Sequence, residues 1–297
     1  MPEIYKKFKE IFPETRLNYS LANESFFKIG GKADLFLGVK DKEKLIRVIK
    51  KAIDLDIPYL ILGAFSNVLI SDKGIKRLVI KNECANFKVK EAKLYVDSGA
   101  KLSDVIYRIA KDNLGGLKFL ANIPGTFGGA IFGNAGAYGK QIGDFTEEIT
   151  LLLENGEIKK VDKDFMEFDY RMSILKKGFK AVVLDIVLRL KHRPKEEALE
   201  EIIKDKKLRN SKHPIYPSCG SFFKNPSRDN PAGSLIEKAG CKGMCVGGAY
   251  VSERHANFLV NKNNASFSDV IKLAEKVKKK VKDKFGIELE EEVRIIK

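Results

Sequence analysis

Two glycine-dense segments are the first parts of this sequence whose residue types and spacing could do chemistry. One is Leu62-Gly63-Ala64-Phe65-Ser66-Asn67-Val68-Leu69. The other is Asn122-Ile123-Pro124-Gly125-Thr126-Phe127-Gly128-Gly129-Ala130, continuing to Asn134-Ala135-Gly136-Ala137-Tyr138-Gly139. Glycine admits positive φ and lets a second backbone or a ligand come close. A run of exposed N–H groups forms a nest suited to phosphate oxygens. Ser66, Asn67 and Thr126 can add side-chain hydrogen bonds. One such cluster is explained equally well by ordinary turns. Two clusters in one α/β region, each joined to small polar residues, point to a dinucleotide. Neither has the form G-x-G-x-x-G after a first strand, nor G-x-x-x-x-G-K-[ST], so the nucleotide is expected to bind in another way.

The elements that must position these segments follow from periodicity. Residues 1–25 suggest an amphipathic helix and an extended arm. A strand-like run covers Ala33–Val39. A helix is expected near 41–54, with Asp41 as N-cap and Leu45, Ile46, Val48, Ile49, Ala52 and Ile53 on its apolar face. Short β runs lie at 59–62, 68–70, 78–80 and 93–99, and a helix at about 102–112. The first glycine cluster therefore falls in a strand-to-strand turn. EITLLLENGEIKKV is a hairpin with Asn155-Gly156 at its turn, and 181–190 is a long strand. Pro194 marks a boundary. Beyond it, helices are expected at about 195–208 and 268–284, and strands at about 257–261 and 291–296. The organisation is two α+β domains in series, the first the larger.

With 297 residues, 44% of them hydrophobic, the chain can bury a real core. No apolar run approaches the ~20 residues of a membrane span, and the charged start MPEIYKKFKEIFPETR lacks the apolar core of a signal peptide. A cytoplasmic protein is expected. The formal charge of +15 could attract nucleic acid or a polyanionic small molecule. The excess is mostly lysine on helices, as at 276–284, where Val270, Leu273, Val277 and Val281 leave the lysines on a solvated face. No nucleic-acid motif accompanies them, so no nucleic-acid partner is expected. Cys84, Cys219, Cys241 and Cys245 read as isolated buried thiols. Cys241 and Cys245 lie four apart, but with three histidines in the chain and no second Cys pair no metal site is expected.

The ordered motifs resemble the UDP-N-acetylenolpyruvoylglucosamine reductase (MurB) family over almost the full length. Besides the two clusters they are Phe27-Lys28-Ile29-Gly30-Gly31-Lys32-Ala33-Asp34, Tyr170-Arg171-Met172-Ser173, and Pro217-Ser218-Cys219-Gly220-Ser221-Phe222-Phe223-Lys224-Asn225-Pro226. Three more follow: Ala232-Gly233-Ser234-Leu235-Ile236-Glu237, Val251-Ser252-Glu253-Arg254-His255-Ala256-Asn257-Phe258, and Leu289-Glu290-Glu291-Glu292-Val293-Arg294. The chain is similar to the compact subtype, without the tyrosine-bearing insertion of longer members. It departs from the family pattern at Phe65 and Asn122, where glycine is usual. Phe27 and Glu291 depart too, in place of a small residue and of proline.

The resemblance implies an α+β fold: an FAD-binding domain of the vanillyl-alcohol-oxidase (PCMH) type at 26–193 and a smaller α+β substrate-binding domain at 194–297, after the arm at 1–25. It implies FAD, NADPH as reductant, and UDP-N-acetylglucosamine enolpyruvate as the alternating substrate; since the glycine clusters hold neither His nor Cys, the FAD is expected to be non-covalent. The sequence does not give the oligomeric state, a monomer being slightly favoured. The implied cofactor-binding residues are Gly63, Ser66, Asn67, Val68, Pro124, Gly125, Thr126, Gly128, Gly129, Asn134 and Gly136. Tyr170, Arg209, Lys212, Lys224 and Asn225 are the implied substrate contacts. By the same resemblance Arg171 and Glu292 stabilise charge developing on the substrate, and Ser221 gives the proton. A guanidinium suits the first role because it grips a carboxylate with two donors. Glu292 is awkward there as an anion, and is expected to act neutral or anchored to Arg171. Singly, each residue has an ordinary alternative: a surface ion pair, a turn serine, one charge among several in ELEEEVR. His255 is expected to be structural. The rival readings are another flavoenzyme on the same fold, such as an alcohol or hydroxy-acid oxidase, and a nucleic-acid-binding protein.

Overall fold

Alternating side chains on one sheet organise the larger part of the molecule. In the computed structural model, which describes residues 2–297, the strands Ile158–Val161, Thr146–Leu153, Ala181–Arg189, Lys93–Asp97 and Phe87–Lys90 form, in that order, a five-stranded antiparallel sheet. Successive strand residues point to opposite faces, and a β-bulge at Leu184, opposite Thr150 and Leu151, shifts the phase of that alternation within Ala181–Arg189. Leu94, Val96, Ile149, Leu151, Ile186 and Leu188 enter one core, with the helix Leu102–Lys111, while Leu152, Val182 and Leu184 enter another. The second core also takes Tyr5 and Phe8 of the helix Glu3–Ile11, Leu45, Val48, Ile49 and Ala52 of the helix Lys42–Asp54, and Leu35, Leu37, Leu78 and Ile80 of the strands Lys32–Val39 and Ile75–Asn82. Asp41 caps that helix, accepting from the Lys44 N–H at 2.7 Å. The Asn155-Gly156 turn forms as expected, with Gly156 at φ 81°.

The chain divides into two compact units interleaved along the sequence. The first comprises Met1–Leu17, Leu35–Ala64 and Arg77–Lys207; the second comprises Asn18–Asp34, Phe65–Lys76 and Leu208–Lys297. In the second unit, short antiparallel strands Cys245–Val246, Ala249–Val251 and Leu259–Asn261 form one sheet. The helix Phe267–Phe285 buries Val270, Leu273, Val277 and Val281 and leaves Lys272, Lys276, Lys279 and Lys280 exposed, as its periodicity predicts. Val68–Ile70 pairs in parallel with Arg294–Ile296. Three of the four cysteines are buried, whereas Cys245 sits in an edge strand of its small sheet and is exposed, which corrects the expectation of four buried thiols. Among the described residues no helix is long and apolar enough to cross a membrane, and no group of three or more Cys, His, Asp or Glu residues could hold a metal.

Candidate active-site residues in the two units

In the first unit the second glycine cluster is spent on its own packing. Thr126 caps the helix Phe127–Phe132, its Oγ1 accepting from the Gly129 N–H at 3.3 Å. The Phe127 N–H donates to the Ala100 carbonyl at 3.0 Å, Gly128 to Ser98 at 2.7 Å and Ala130 to Thr126 at 2.9 Å. All four N–H groups therefore donate inward, and the expected row of donors for phosphate is not presented at 127–130. The glycines serve close approach instead. A Cβ on Gly128 would lie 2.9 Å from Ser98 Cβ, and one on Gly63 only 2.3 Å from Thr126 Oγ1. That contact joins Gly63, from the first cluster, to the second. What remains outward is a surface of exposed Pro124 and Gly129 beside half-buried Gly63 and Gly125, almost without side-chain bulk. Such a surface admits the close approach of a flat ring system. Neither cluster holds a His or Cys that could bond a flavin covalently, and burial pushes the Cys84 thiol up to about 12.

The turn bearing Arg171 is built from the same region. Asp169 and Met172 exchange backbone hydrogen bonds at 3.2 and 3.0 Å, placing Tyr170 and Arg171 at the tip. Arg171 takes φ 54°, a left-handed conformation that costs a non-glycine residue about 1–2 kcal/mol. Asn134 holds the turn: its Oδ1 accepts from the Gly143 N–H at 3.0 Å and its Nδ2 donates to the Asp169 carbonyl at 2.8 Å. Asn134 has no exposed surface, so the expectation that it contacts the cofactor is replaced by a positioning role. Gly136 is similarly buried; a Cβ there would fall 2.3 Å from the Lys140 carbonyl. Its own carbonyl accepts from Arg171 Nη2 at 2.8 Å. The Arg171 guanidinium also lies 5.2 Å from the centre of the exposed Tyr170 ring. Ser173 donates to the Phe132 carbonyl at 2.7 Å and caps the helix Ile174–Lys177.

In the second unit three distant stretches converge. The Asn67 amide donates to the Glu292 carbonyl at 3.3 Å, and the Arg294 N–H donates back to the Asn67 carbonyl at 3.1 Å. The Cys219 thiol donates to the Val68 carbonyl at 3.1 Å. The Glu292 N–H donates to the Phe222 carbonyl and the Lys224 N–H to the Glu290 carbonyl, both at 2.8 Å. Ser66-Asn67-Val68, the Ser221 segment and the Glu292 segment are thus one construction. Ser221 and Glu292 are both half-buried and stand one residue apart across this pairing. Phe65, at φ 56°, takes the left-handed conformation for which glycine is suited, and its ring is buried.

The expected substrate contacts are held unequally. Lys224 Nζ pairs with Glu290 at 2.9 Å, and Asn225 Oδ1 accepts from the Ala232 N–H at 3.0 Å, capping the helix Ala232–Lys238. Arg209 and Lys212 end the helix Lys195–Lys212, with Lys212 exposed. His255 Nδ1 accepts from the Asn257 N–H at 3.2 Å, and burial holds its imidazole below the usual histidine range. It is neutral near pH 7 and ill-suited as an acid. His213 is likewise held down, to about 4, chiefly by burial and then by the Arg209 guanidinium and, where it is protonated, the His255 imidazole. Asn257 was not expected from the sequence to do any work; its position in the quoted motif with His255 was the available signal.

The family model described as UDP-N-acetylenolpyruvoylglucosamine reductase, C-terminal domain, matches residues 211–296, and one described as FAD binding domain matches residues 33–162. A curated UDP-N-acetylenolpyruvoylglucosamine reductase from Caldanaerobacter subterraneus subsp. tengcongensis is 40% identical, covering 98% of this chain and 97% of its own. The Bacillus subtilis protein of that name is 37% identical over 94% and 93%. The crystal structure of UDP-N-acetylenolpyruvylglucosamine reductase (MurB) from Thermus caldophilus superposes with TM-score 0.80 at 31% identity, covering 96% of this chain and 98% of that one.

Proposed function

This chain belongs to the UDP-N-acetylenolpyruvoylglucosamine reductase family, and from that premise we propose that it reduces UDP-N-acetylglucosamine enolpyruvate to UDP-N-acetylmuramate with electrons from NADPH. It is an FAD-dependent oxidoreductase of peptidoglycan precursor synthesis. In the proposed arrangement residues 26–193 serve chiefly the cofactor and 194–297 the sugar nucleotide, in the cytoplasm. The observation that carries the reading is the convergence of Asn67, Ser221 and Glu292, where the backbone of the Ser221 segment is paired with that of the Glu292 segment.

Bound FAD, held non-covalently, supplies the hydride that reaches the distal enolpyruvyl carbon. Gly63, Pro124, Gly125 and Gly129 give it a surface with little side-chain bulk, and Ser66, Asn67 and Val68 its remaining contacts. The carbon bearing the substrate carboxylate then carries negative charge delocalised into that carboxylate. Groups aimed at it before reaction lower the barrier. Arg171 grips the carboxylate, Glu292 assists there, and the Ser221 hydroxyl delivers the proton to the carbon; Tyr170, Lys224, Asn225, Arg209 and Lys212 orient the sugar nucleotide. NADPH and the enolpyruvyl substrate must each bring a carbon to roughly 3–3.5 Å of the same reacting atom, so they enter in turn. The test is anaerobic. NADPH bleaches the flavin, and UDP-N-acetylglucosamine enolpyruvate then restores its colour with formation of UDP-N-acetylmuramate. A bleached protein that this substrate leaves bleached contradicts the proposal.

A further inference from the structure

The segment that carries Ser221 is gripped from two sides, and the grip on one side comes from a single residue. Asn257 is 3% exposed. Its Nδ2 donates to the Phe223 carbonyl at 2.8 Å while its Oδ1 accepts from the Phe223 N–H at 3.0 Å. Its own carbonyl accepts from the Phe222 N–H at 2.7 Å. The carboxamide thus behaves as one more residue of a β ladder, matched donor to acceptor and acceptor to donor. On the other side the Glu292 N–H takes the Phe222 carbonyl, and the Lys224 N–H donates to Glu290. Every backbone polar group from the Phe222 N–H to the Lys224 N–H is therefore fixed. Just before Ser221 stands Gly220, at φ 81° with nothing within 4 Å of an added Cβ, a link that imposes little. Ser221 takes its position from the residues that follow it.

We infer that Asn257 is a positioning residue for the reduction, its buried carboxamide fixing the backbone on which Ser221 presents its hydroxyl. The inference rests on the proposed role of Ser221. The same carboxamide fixes the Phe222 carbonyl that receives the Glu292 N–H, so it keeps Ser221 and Glu292 in register with each other. A displacement of about 1 Å at a reacting group is worth up to about 10²-fold in rate. Asn257 acts through Ser221 and has no reason to touch the first half-reaction.

Asn257→Asp separates positioning from plain structural support. The ionised carboxylate still accepts from the Phe223 N–H, but it sets a second lone pair against the Phe223 carbonyl. The protonated acid donates an O–H there and restores the matched pair. Burial raises a carboxyl pKa, so the restored form grows as pH falls through the neutral range. The holoenzyme variant should be reduced by NADPH at a near wild-type rate. Its reoxidation by the enolpyruvyl substrate should be slower by about 10–10²-fold at alkaline pH, and its rate relative to wild type should recover as pH is lowered. Adding N257D to Ser221→Ala should slow reoxidation no further, because two residues acting as a unit are not additive. If N257D does not retain flavin, Asn257→Gln keeps both amide functions on a longer stem and should show the same selective slowing without recovery at low pH. Normal reoxidation in N257D while Ser221→Ala is slow overturns the inference and leaves the role of Ser221 standing. So does equal slowing of both half-reactions, or additive slowing in the double variant. Normal reoxidation in Ser221→Ala itself removes the premise and the inference with it.

Discussion

Two buried asparagines each hold one of the residues assigned to the reaction, and they do so under opposite conditions of backbone strain. In the first unit Asn134 clamps the turn of Arg171, and Arg171 itself bears the left-handed φ of 54°. In the second unit Asn257 clamps the segment of Ser221, and the left-handed φ of 81° falls on the neighbouring Gly220. A strained conformation on a working residue persists only where its surroundings over-determine it. Glycine adopts that conformation without the steric cost. Both clamps reach across about the same length of chain, so the two sites differ in strain alone: the Arg171 turn carries it on the working residue, whereas the Ser221 segment leaves it to a glycine.

The widest separation of function from stability should come from Arg171→Gly. Removing the guanidinium should slow reoxidation by the enolpyruvyl substrate by about 10²–10³-fold, the usual cost of losing one preorganised charge-stabilising donor. Relief of strain offsets the lost bond to Gly136, so stability should stay within about 1 kcal/mol of wild type. Denaturant melts beside half-reaction rates check both; a large loss of stability would mean the turn is not strained. Next comes Asn134→Ala, which leaves the buried Gly143 N–H without its acceptor while the Asp169 carbonyl keeps the Met172 N–H, and should cost about 1–3 kcal/mol. A loss under about 1 kcal/mol by denaturant titration would show that water replaces the clamp. The smallest effect should be that of Gly220→Ala, which meets no atom within 4 Å and should lose only about 1 kcal/mol of backbone preference. A larger loss would place hidden strain in the second unit as well and dissolve the contrast.

What could be seen in the sequence divides between local and distant features. Asp41 as a cap, the Asn155-Gly156 turn and the apolar stripe of Val270, Leu273, Val277 and Val281 are set within a few residues, and each formed. The glycine clusters were visible as places of close approach, but not what approaches. Only the fold shows Ser98 and Ala100 taking the N–H groups of Gly128 and Phe127. The pairing of Val68–Ile70 with Arg294–Ile296 joins stretches far apart in the sequence. Periodicity has no access to such a pairing. Asn257 shows the same limit, since nothing in an asparagine's neighbours states that its amide will complete a ladder formed at Phe223. Motif resemblance carried the choice of Arg171, Ser221 and Glu292; composition could not have singled them out.

The central claim is that Ser221 serves the second half of the reaction alone, and stopped-flow measurement of both halves in Ser221→Ala tests it most directly. Flavin reduction by NADPH should proceed at nearly the wild-type rate, because no proton is delivered to a substrate carbon in that step. Reoxidation by UDP-N-acetylglucosamine enolpyruvate should slow by about 10²–10⁴-fold, the usual cost of removing a positioned acid. Equal slowing of the two halves, or a second half that runs at its normal rate, would contradict the account.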